Sequence, residues 1–344
     1  FPAFNKRPYE VAAMKRLLLI LLMISLPLVA NAAPAARTMC VFDPSGTHGD
    51  LYKFAERFQA AALAWGVKFD LKVNTNEVVA TSDFKAGQCQ AVLVTSLRAR
   101  GFVKATGTLE AIGALPSYAL LKSVIKVLSS PKAKSYVIEG DYETAAIVPG
   151  GAVYLLLRKR EFASMSKLAG KRIATLVHDK PSRVMVDTVG ASMVAAEVGT
   201  FAGIFNNGRA DGCYAPATAV KPLELLKGMS KGGGILRYPL AQLSFQILIK
   251  SKDFPAEFGQ QARAWSSGQF NESLKMANSA DRSIPAKYWI DVAAADKAAY
   301  DDKLREVRIQ LRGSGVYHGG ILRLMKRIRC KSDKTRPECA DKRE

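Results

Sequence analysis

The chain has 344 residues, a formal net charge of +20 and 49% hydrophobic residues, so it can fill a sizeable core, which excludes a disordered polar chain. Its three histidines, His48, His178 and His318, stand alone, so no zinc-ligand spacing is present. The basic residues are spread over predicted helix faces without a nucleic-acid-binding motif, so we expect these faces to be solvated and not to bind nucleic acid. We also expect no cofactor.

The N-terminal region predicts an exported protein. Basic residues precede an apolar run over residues 17–30, and a small-residue cleavage site ends at Ala32. The run is shorter than the roughly 20 residues that span a bilayer, which favours a cleaved signal peptide at 14–32 over a retained anchor. Residues 1–13 lie upstream and are left out of the fold prediction. We expect a processed periplasmic chain without a transmembrane segment.

The first predicted lobe, residues 33–144, alternates between short apolar strands and amphipathic helices. Such alternation predicts a parallel sheet that helices cover on both faces. The predicted strands are 38–42, 67–73, 91–95 and 109–115, and the predicted helices begin near Asp50 and cover 76–86, 97–104 and 117–128.

The second predicted unit, residues 145–240, holds hinge strands and a second lobe. Two extended runs over 145–158 surround Pro149-Gly150-Gly151 and predict a crossing between lobes. The same strand and helix rhythm then resumes. The predicted strands are 171–177, 192–195 and 210–214, and the predicted helices begin at 181 and cover 200–207 and 217–227.

The rest of the chain predicts a return to the first lobe. Residues 235–249 are extended and long enough to cross back, and the sequence is mainly helical from Pro255 onward. We therefore assign residues 241–320 to the return and a helical back, and 321–344 to a basic tail. Because the processed chain is longer than one core usually holds, we predict an α/β fold of two lobes that closes like a clamshell.

Five cysteines in an exported chain favour disulfides, and the odd number leaves one thiol over. Cys40 and Cys89 fall at neighbouring strands of the predicted sheet, and Cys330 and Cys339 close a short loop in the tail. We predict these two pairs and a free Cys213. The segment before Cys40 is not a lipobox, so we do not expect a lipid anchor.

Several motifs resemble known families of solute receptors. LAGKRI at 168–173, VGA at 189–191 and the stretch 205–212 are similar to the second lobe of TRAP-transporter solute receptors. A resemblance over nearly the whole processed chain is to the AdeT-type solute-binding proteins, carried by CVFDP at 40–44, FKAGQC at 84–89, LRAR at 97–100, KPLEL at 221–225 and IPAKYW at 284–289.

This resemblance implies the type II architecture of periplasmic binding proteins and a small solute captured for a membrane permease. It also contains one departure. TRAP receptors carry an arginine that forks onto the solute carboxylate, and the motif alignment puts Ala174 at that place, with Arg172 two residues earlier.

Candidate site residues are the polar side chains that follow strands, because ligands of open α/β sheets bind beyond the carboxyl ends of the strands. Arg98 is the preferred anchor if the solute is anionic. Turn formation, helix capping and a core tyrosine are the structural alternatives for members of this set. The predicted solute site consists of Asp43, Ser45, Thr95, Ser96, Arg98, Ser117, Asp179 and Tyr214.

No catalytic motif emerges, so we predict a binding protein and not an enzyme. Ser182, His178 and Asp179 are close along the chain, yet no nucleophile elbow or metal-ligand spacing accompanies them. Two functions stand: a periplasmic receptor that delivers a solute to a permease, and a non-transport envelope factor that binds a protein or envelope polymer. A cleft with converging polar groups favours the first, and a cleft filled with apolar side chains favours the second.

Overall fold

The structure is a computed structural model that describes residues 34–344 and, before them, Pro2 alone. The predicted signal peptide and the predicted cleavage site at Ala32 lie outside the described residues. Ala35–Glu344 form one compact unit. Within the part of the chain that is described, no helix is long and apolar enough to cross a membrane.

A single mixed sheet runs through this unit, and its main path has the order β2-β1-β3-β10-β5-β8-β6-β7. The short strands β4, β9 and β11 pair off this path. The strands are β1 (Ala35–Phe42), β2 (Val67–Asn74), β3 (Ala91–Thr95), β4 (Ile138–Glu139), β5 (Tyr142–Leu157), β6 (Arg172–Leu176), β7 (Ser192–Ala196), β8 (Gly212–Pro216), β9 (Gly234–Leu236), β10 (Ala241–Lys250) and β11 (Trp289–Ile290).

Helices cover both faces of the sheet and continue past it. In the described chain they are α1 (Asp50–Ala62), α2 (Glu77–Lys85), α3 (Ser96–Ala99), α4 (Lys104–Gly107), α5 (Tyr118–Leu128), α6 (Lys134–Val137), α7 (Met165–Leu168), α8 (Lys180–Thr188), α9 (Val198–Asn206), α10 (Ala217–Val220), α11 (Phe258–Gly268), α12 (Phe270–Ser283), α13 (Ala294–Gly313) and α14 (Gly319–Ser332). Short 3-10 turns lie at Gly46–His48, Leu63–Trp65, Thr108–Glu110, Pro131–Ala133, Arg160–Phe162, Leu225–Met229, Ser251–Asp253, Ala286–Tyr288 and Pro337–Cys339.

The predicted parallel arrangement holds within each half of the sheet but not across the middle. β1 pairs in parallel with β2 and β3, and β6 pairs in parallel with β7 and β8. The long strands β5 and β10 are antiparallel to each other, and each is also antiparallel to its outer neighbour. The sheet is therefore mixed, because both crossing strands belong to it.

These strand directions aim the carboxyl ends of both halves at the middle of the sheet. Thr95 at the end of β3 pairs with Phe245, which pairs with Val148, whereas Pro216 at the end of β8 pairs with Val153. Five residues of β5 separate these two levels, or roughly 16 Å at about 3.3 Å per residue. The loops that follow β3 and β8 therefore face each other across a cleft.

The two crossing strands are irregular at this cleft. β10 shifts its register on β5 between Leu243 and Ser244. Opposite this shift, Gly151 has φ +111°, a conformation that side chains with a Cβ rarely adopt. A Cβ at Gly151 would also lie 3.1 Å from the Cβ of Ala277 on α12. The predicted crossing around Pro149-Gly150-Gly151 therefore coincides with a break in strand geometry.

Some predicted elements are wrong in detail. Residues 109–115 form the 3-10 turn Thr108–Glu110 and further turns instead of a strand, although Leu109 and Leu115 are buried as the hydrophobic pattern suggested. The predicted helix over 217–227 ends at Val220, because Pro222 cannot continue it. The predicted helix over 97–104 is split into α3 and α4.

Both predicted disulfides form. Cys40 on β1 bonds to Cys89, and Cys330 on α14 bonds to Cys339 in the last 3-10 turn. Cys213 on β8 is free and buried, as predicted. The second disulfide holds the tail against the helical back, where the Glu344 carboxylate accepts hydrogen bonds from Arg308 and Arg329.

Candidate functional site

Asp43, which follows β1, caps the next helix. Its buried carboxylate accepts hydrogen bonds from the backbone N–H groups of Ser45 at 2.8 Å, Leu51 at 2.9 Å and Tyr52 at 3.0 Å. Gly49 permits this approach, since a Cβ there would lie 1.9 Å from an Asp43 oxygen. Ser45 is exposed on the same loop. The Asp43 carboxylate is thus already occupied by the chain itself.

Thr95, the last residue of β3, and Ser96, which follows it, also form internal hydrogen bonds. The Thr95 hydroxyl caps α3, and its backbone N–H donates to Glu77 Oε1 at 2.7 Å. Ser96 is fully buried, with its hydroxyl 2.6 Å from that of Ser244 and within 2.7 Å of the Gln246 amide nitrogen. These contacts join α3 to the crossing strand β10.

Arg98 is the predicted site residue whose charge acts on the other half of the sheet. Its Nε lies 3.5 Å from Glu77 Oε2, and about a quarter of its side chain is exposed (24%). Burial, and then the Arg98 guanidinium, lower the pKa of His178, which follows β6 on the other half of the sheet. The loops after β3 and β6 are therefore close enough for their charges to interact.

On the second half, Asp179 caps α8 and Tyr214 lies beneath it. The Asp179 carboxylate accepts from the Ser182 backbone N–H at 3.2 Å and from the Ser182 hydroxyl. The Tyr214 hydroxyl is buried near Ser182 but makes no hydrogen bond of normal geometry. Burial, and then the charge of Asp179, raise the pKa of Tyr214. Arg98, Asp179 and Tyr214 thus belong to one neighbourhood.

Ser117 also caps a helix, as Thr95 and Asp179 do. It is exposed, and its hydroxyl accepts from the Leu120 backbone N–H at 3.3 Å as the N-cap of α5. It hydrogen-bonds none of the other seven predicted residues.

Two carboxylates were missed by the sequence prediction. Glu77, at the start of α2, pairs with Arg98, and Glu110 accepts from the Ser244 backbone N–H at 3.0 Å. Burial raises the pKa of Glu110 to about 8, although the Ser244 N–H and the Arg100 charge act in the opposite direction. Glu77 could have been predicted as a site residue, because it lies in the segment that follows β2. No local signal pointed to Glu110, which was placed in a predicted strand.

A cavity of about 650 Å³ lies between the two halves, and its lining was also missed. Its walls are α1 from the first half, α10 and the residues after it from the second half, and α12, with Val148 of β5 beside them. The lining residues are Asp50, Leu51, Lys53, Phe54, Arg57, Val148, Ala217, Thr218, Lys221, Pro222, Glu272, Ser273, Lys275, Met276, Ser279, Ala280 and Ser283.

The charges at this cavity leave an excess of cations. Lys53 lies 3.8 Å from Asp50, and Lys275 lies 2.5 Å from Glu272. Arg57 and Lys221 have no carboxylate within 4.0 Å among the described residues. Leu51, Phe54, Val148 and Met276 supply apolar surface beside them. Such a lining suits a small anion that carries an apolar part.

Helix α12 links the cavity to the crossing strands. Tyr118 donates to Asp281 on α12 at 3.2 Å and accepts from the Ala152 backbone N–H at 2.9 Å. Ala152 follows Gly151, where the strand geometry breaks. Burial raises the pKa of Asp281, against its hydrogen bonds with Tyr118 and Tyr154. A wall of the cavity is therefore hydrogen-bonded to the strand that joins the two halves.

β6 carries Ala174 at the place where TRAP receptors carry an arginine. Ala174 is fully buried in an apolar cluster with Phe201 and Ala215. Arg172 lies at the start of β6 and pairs with Asp211 at 2.9 Å, away from the carboxyl end of the strand. The arginine that TRAP receptors use for a carboxylate therefore has no counterpart at this point of the fold.

Residues 59–344 match the family model described as "Solute-binding protein AdeT 1/2". The chain is 36% identical over 300 residues to the probable solute-binding protein AdeT1 of Acinetobacter baumannii, covering 87% of this chain and 99% of that protein. It is 29% identical over 233 residues to the probable solute-binding protein AdeT2 of the same organism, covering 68% of this chain and 98% of that protein.

Solved structures of TRAP periplasmic solute-binding proteins share the fold. One from Desulfovibrio salexigens with bound orotic acid has a TM-score of 0.69 at 12% identity, covering 86% of this chain and 99% of that chain. One from Rhodoferax ferrireducens with bound malonate has a TM-score of 0.68 at 13% identity, covering 87% of this chain and 100% of that chain. The fold is thus the two-lobed clamshell that the sequence predicted. The chain belongs to the AdeT 1/2 family of solute-binding proteins, which bind ligands and are not enzymes.

Proposed function

We propose that this protein captures a small anionic solute between its two lobes in the periplasm and delivers it to a membrane permease. The observation that carries the proposal is the cavity of about 650 Å³ between the halves of the sheet. Its volume is within the range of roughly 300–1,000 Å³ that small-molecule sites occupy. In this proposal the lobes are residues 33–144 and 145–240, with 241–320 returning to the first lobe and 321–344 forming the tail.

The charge of the cavity supports an anionic solute. Arg57 and Lys221 approach it from opposite lobes. An anion can interact with both cations only when the lobes are close together, so its binding would stabilise the closed arrangement of the lobes. Orotic acid and malonate, which are bound in two structures of the same fold, are carboxylates.

The loops around Arg98 are a second candidate position for the solute. Arg98, Asp179 and Tyr214 approach one another from both halves, and Arg98 Nε and the Tyr214 hydroxyl are buried without hydrogen-bond partners among the described residues. The cavity is favoured because Arg98 already has a counter-ion in Glu77. The eight residues named from the sequence remain a prediction for this second position.

The presence of a cavity also favours a solute receptor over an envelope factor without transport. An envelope factor that keeps the fold needs no space between its lobes, whereas a receptor does. Native mass spectrometry of protein purified without refolding tests this difference. We expect a co-purified small anion that dissociates on unfolding. Protein of the bare chain mass, unchanged after incubation with a library of carboxylates, would contradict solute binding.

A further inference from the structure

The helices α5, α6 and α14, with the 3-10 turn Pro131–Ala133 between the first two, carry a group of exposed cations, here called the basic face. It consists of Lys122, Lys126, Lys132, Lys134, Arg323, Arg327 and Lys331. Residues 118–137 and 319–332 contain no aspartate or glutamate. None of the seven cations has a carboxylate within 4.0 Å among the described residues. Cations without counter-ions repel one another, and a partner of negative charge would relieve this repulsion.

Packing brings these cations onto adjoining helices. α5 and α14 contact each other and bury Leu121, Ile125, Leu322 and Met325 in the same hydrophobic core, so their exposed sides are neighbours. α6 adjoins the start of α14, where the ring of Tyr136 lies 5.8 Å from that of His318. Along α14, Arg323 and Lys331 are eight residues apart, or about 12 Å.

Two carboxylates that border this surface, Glu139 and Asp333, accept hydrogen bonds from neutral groups. Glu139 accepts from the Lys104 backbone N–H at 2.7 Å. Asp333, at the end of α14, accepts from the Thr335 backbone N–H at 3.0 Å and from the Thr335 hydroxyl at 2.6 Å. Neutral donors do not cancel the charge of these two carboxylates, but the seven cations outnumber them, so the basic face keeps an excess of positive charge. It lies on different helices from the cavity, which α1, α10 and α12 line.

We propose that the basic face holds the protein on an anionic phospholipid surface. Its side chains are long, exposed and not fixed by ion pairs, which suits a diffuse layer of headgroups better than one shaped ligand. Val127 lies among these cations on α5 and is 40% exposed, an apolar side chain that fits the boundary between headgroups and acyl chains. Attachment is peripheral and reversible, because it depends on screened charge.

Vesicle co-sedimentation tests this proposal with the chain from Ala33 onward, which retains the whole compact unit. We expect binding to vesicles that contain phosphatidylglycerol, none to pure phosphatidylcholine, and release at high salt. The variant Lys126→Gln/Lys134→Gln/Arg323→Gln/Arg327→Gln should bind about a hundredfold more weakly or worse, since each of the four cations contributes about 1 kcal/mol near such a surface.

The matched control is Lys68→Gln/Lys167→Gln/Arg209→Gln/Lys231→Gln, which removes the same charge from exposed positions elsewhere. It should keep most of the binding, and circular dichroism should show that both variants are folded. If both variants lost vesicle binding equally, net charge and not the basic face would explain the binding, and the proposal would be wrong. Binding to an acidic polypeptide but not to anionic vesicles would also overturn it, in favour of a protein partner.

Discussion

Arg98 and His178 lie on facing halves of the sheet, and the pKa of His178 is lowered first by burial and then by the Arg98 guanidinium. Glu77 lies 3.5 Å from Arg98 and balances its charge. Arg98 therefore already has a counter-ion on its own half of the sheet. This leaves the cavity bordered by Arg57 and Lys221 as the place where an added anion gains most.

Solute affinity distinguishes the two positions. We expect Arg57→Ala/Lys221→Ala to weaken binding of the co-purified solute about ten- to hundredfold, the cost of losing charge-assisted contacts. Arg98→Ala and the exposed control Arg209→Ala should change it little. Calorimetry measures all three. A loss in Arg98→Ala with full affinity in the double variant would place the solute at the loops after β3 and β6, as the sequence predicted.

Export makes a separate prediction. We expect the chain in cells to begin near Ala33, since a signal peptide at 14–32 is removed during export. Cell fractionation followed by intact-mass measurement checks the processed mass and the compartment. High-salt washing should release any processed chain from membranes. Processed chain that stays in the pellet after carbonate treatment would contradict the assignment.

The buried ion network of the tail should stabilise the fold. Arg329 is 1% exposed and donates to Glu338 at 3.1 Å, to Glu344 at 2.8 Å and to the Ala114 carbonyl at 2.7 Å. Arg329→Ala takes one arginine from Glu338 and from Glu344, which keep Arg336 and Arg308, and it leaves the Ala114 carbonyl unpaired. The free energy of unfolding should therefore fall by about 1.5–3 kcal/mol. Arg327→Ala, an exposed change on the same helix, should alter it by less than about 0.5 kcal/mol. Urea unfolding compares them, and equal effects would show that the network contributes nothing.

Glu110 should make stability depend on pH. Its pKa is raised to about 8 in the folded protein, so between about 4.5 and 8 the unfolded chain releases this proton and the folded chain retains it. The contribution of this carboxyl to stability is therefore full below about 4.5 and is lost as the pH rises to about 8.

Glu110→Gln removes the titration and keeps an oxygen for the Ser244 N–H. Wild type should lose stability relative to this variant from pH 5 to pH 8, by less than the limit of about 1.4 kcal/mol per pH unit for one proton. Urea unfolding at several pH values measures the difference. A difference that does not change with pH would show that Glu110 titrates normally.

The cysteines should react according to their burial. We expect the native protein to show no reactive thiol, because Cys213 is fully buried and burial raises its pKa. One thiol should appear on unfolding, and peptide mapping should recover both disulfides. Cys40→Ala/Cys89→Ala should cost about 4 kcal/mol, the loop-closure value for a bridge between residues 49 apart. A crosslink from Cys213 to any other cysteine would contradict this pairing.

Much of the fold could be predicted from sequence because its signals are local. Alternating apolar strands and amphipathic helices appear in the order of the chain, and the helix stripe of Leu51, Phe54 and Phe58 is buried as its spacing predicts. The Cys40–Cys89 disulfide followed from placing cysteines on this framework, and the Cys330–Cys339 disulfide followed from the short loop that these residues close. The prediction failed at residues 109–115, where hydrophobic residues enter the core from turns, since hydrophobic content alone does not distinguish a turn from a strand.

The candidate site depended on contacts that no local pattern contains. Asp43 and Asp179 follow strands as predicted, and Thr95 ends β3. Only the tertiary structure shows that each of the three caps a helix with its side chain. Arg57 and Lys221 are far apart in the sequence and meet at one cavity because α1 and α10 follow strands of different lobes. By itself the sequence determined the order and type of most elements, which short-range periodicity encodes. The tertiary structure alone decided which charges are paired and which remain free, because pairing depends on how helices from distant parts of the chain pack across the crossing strands.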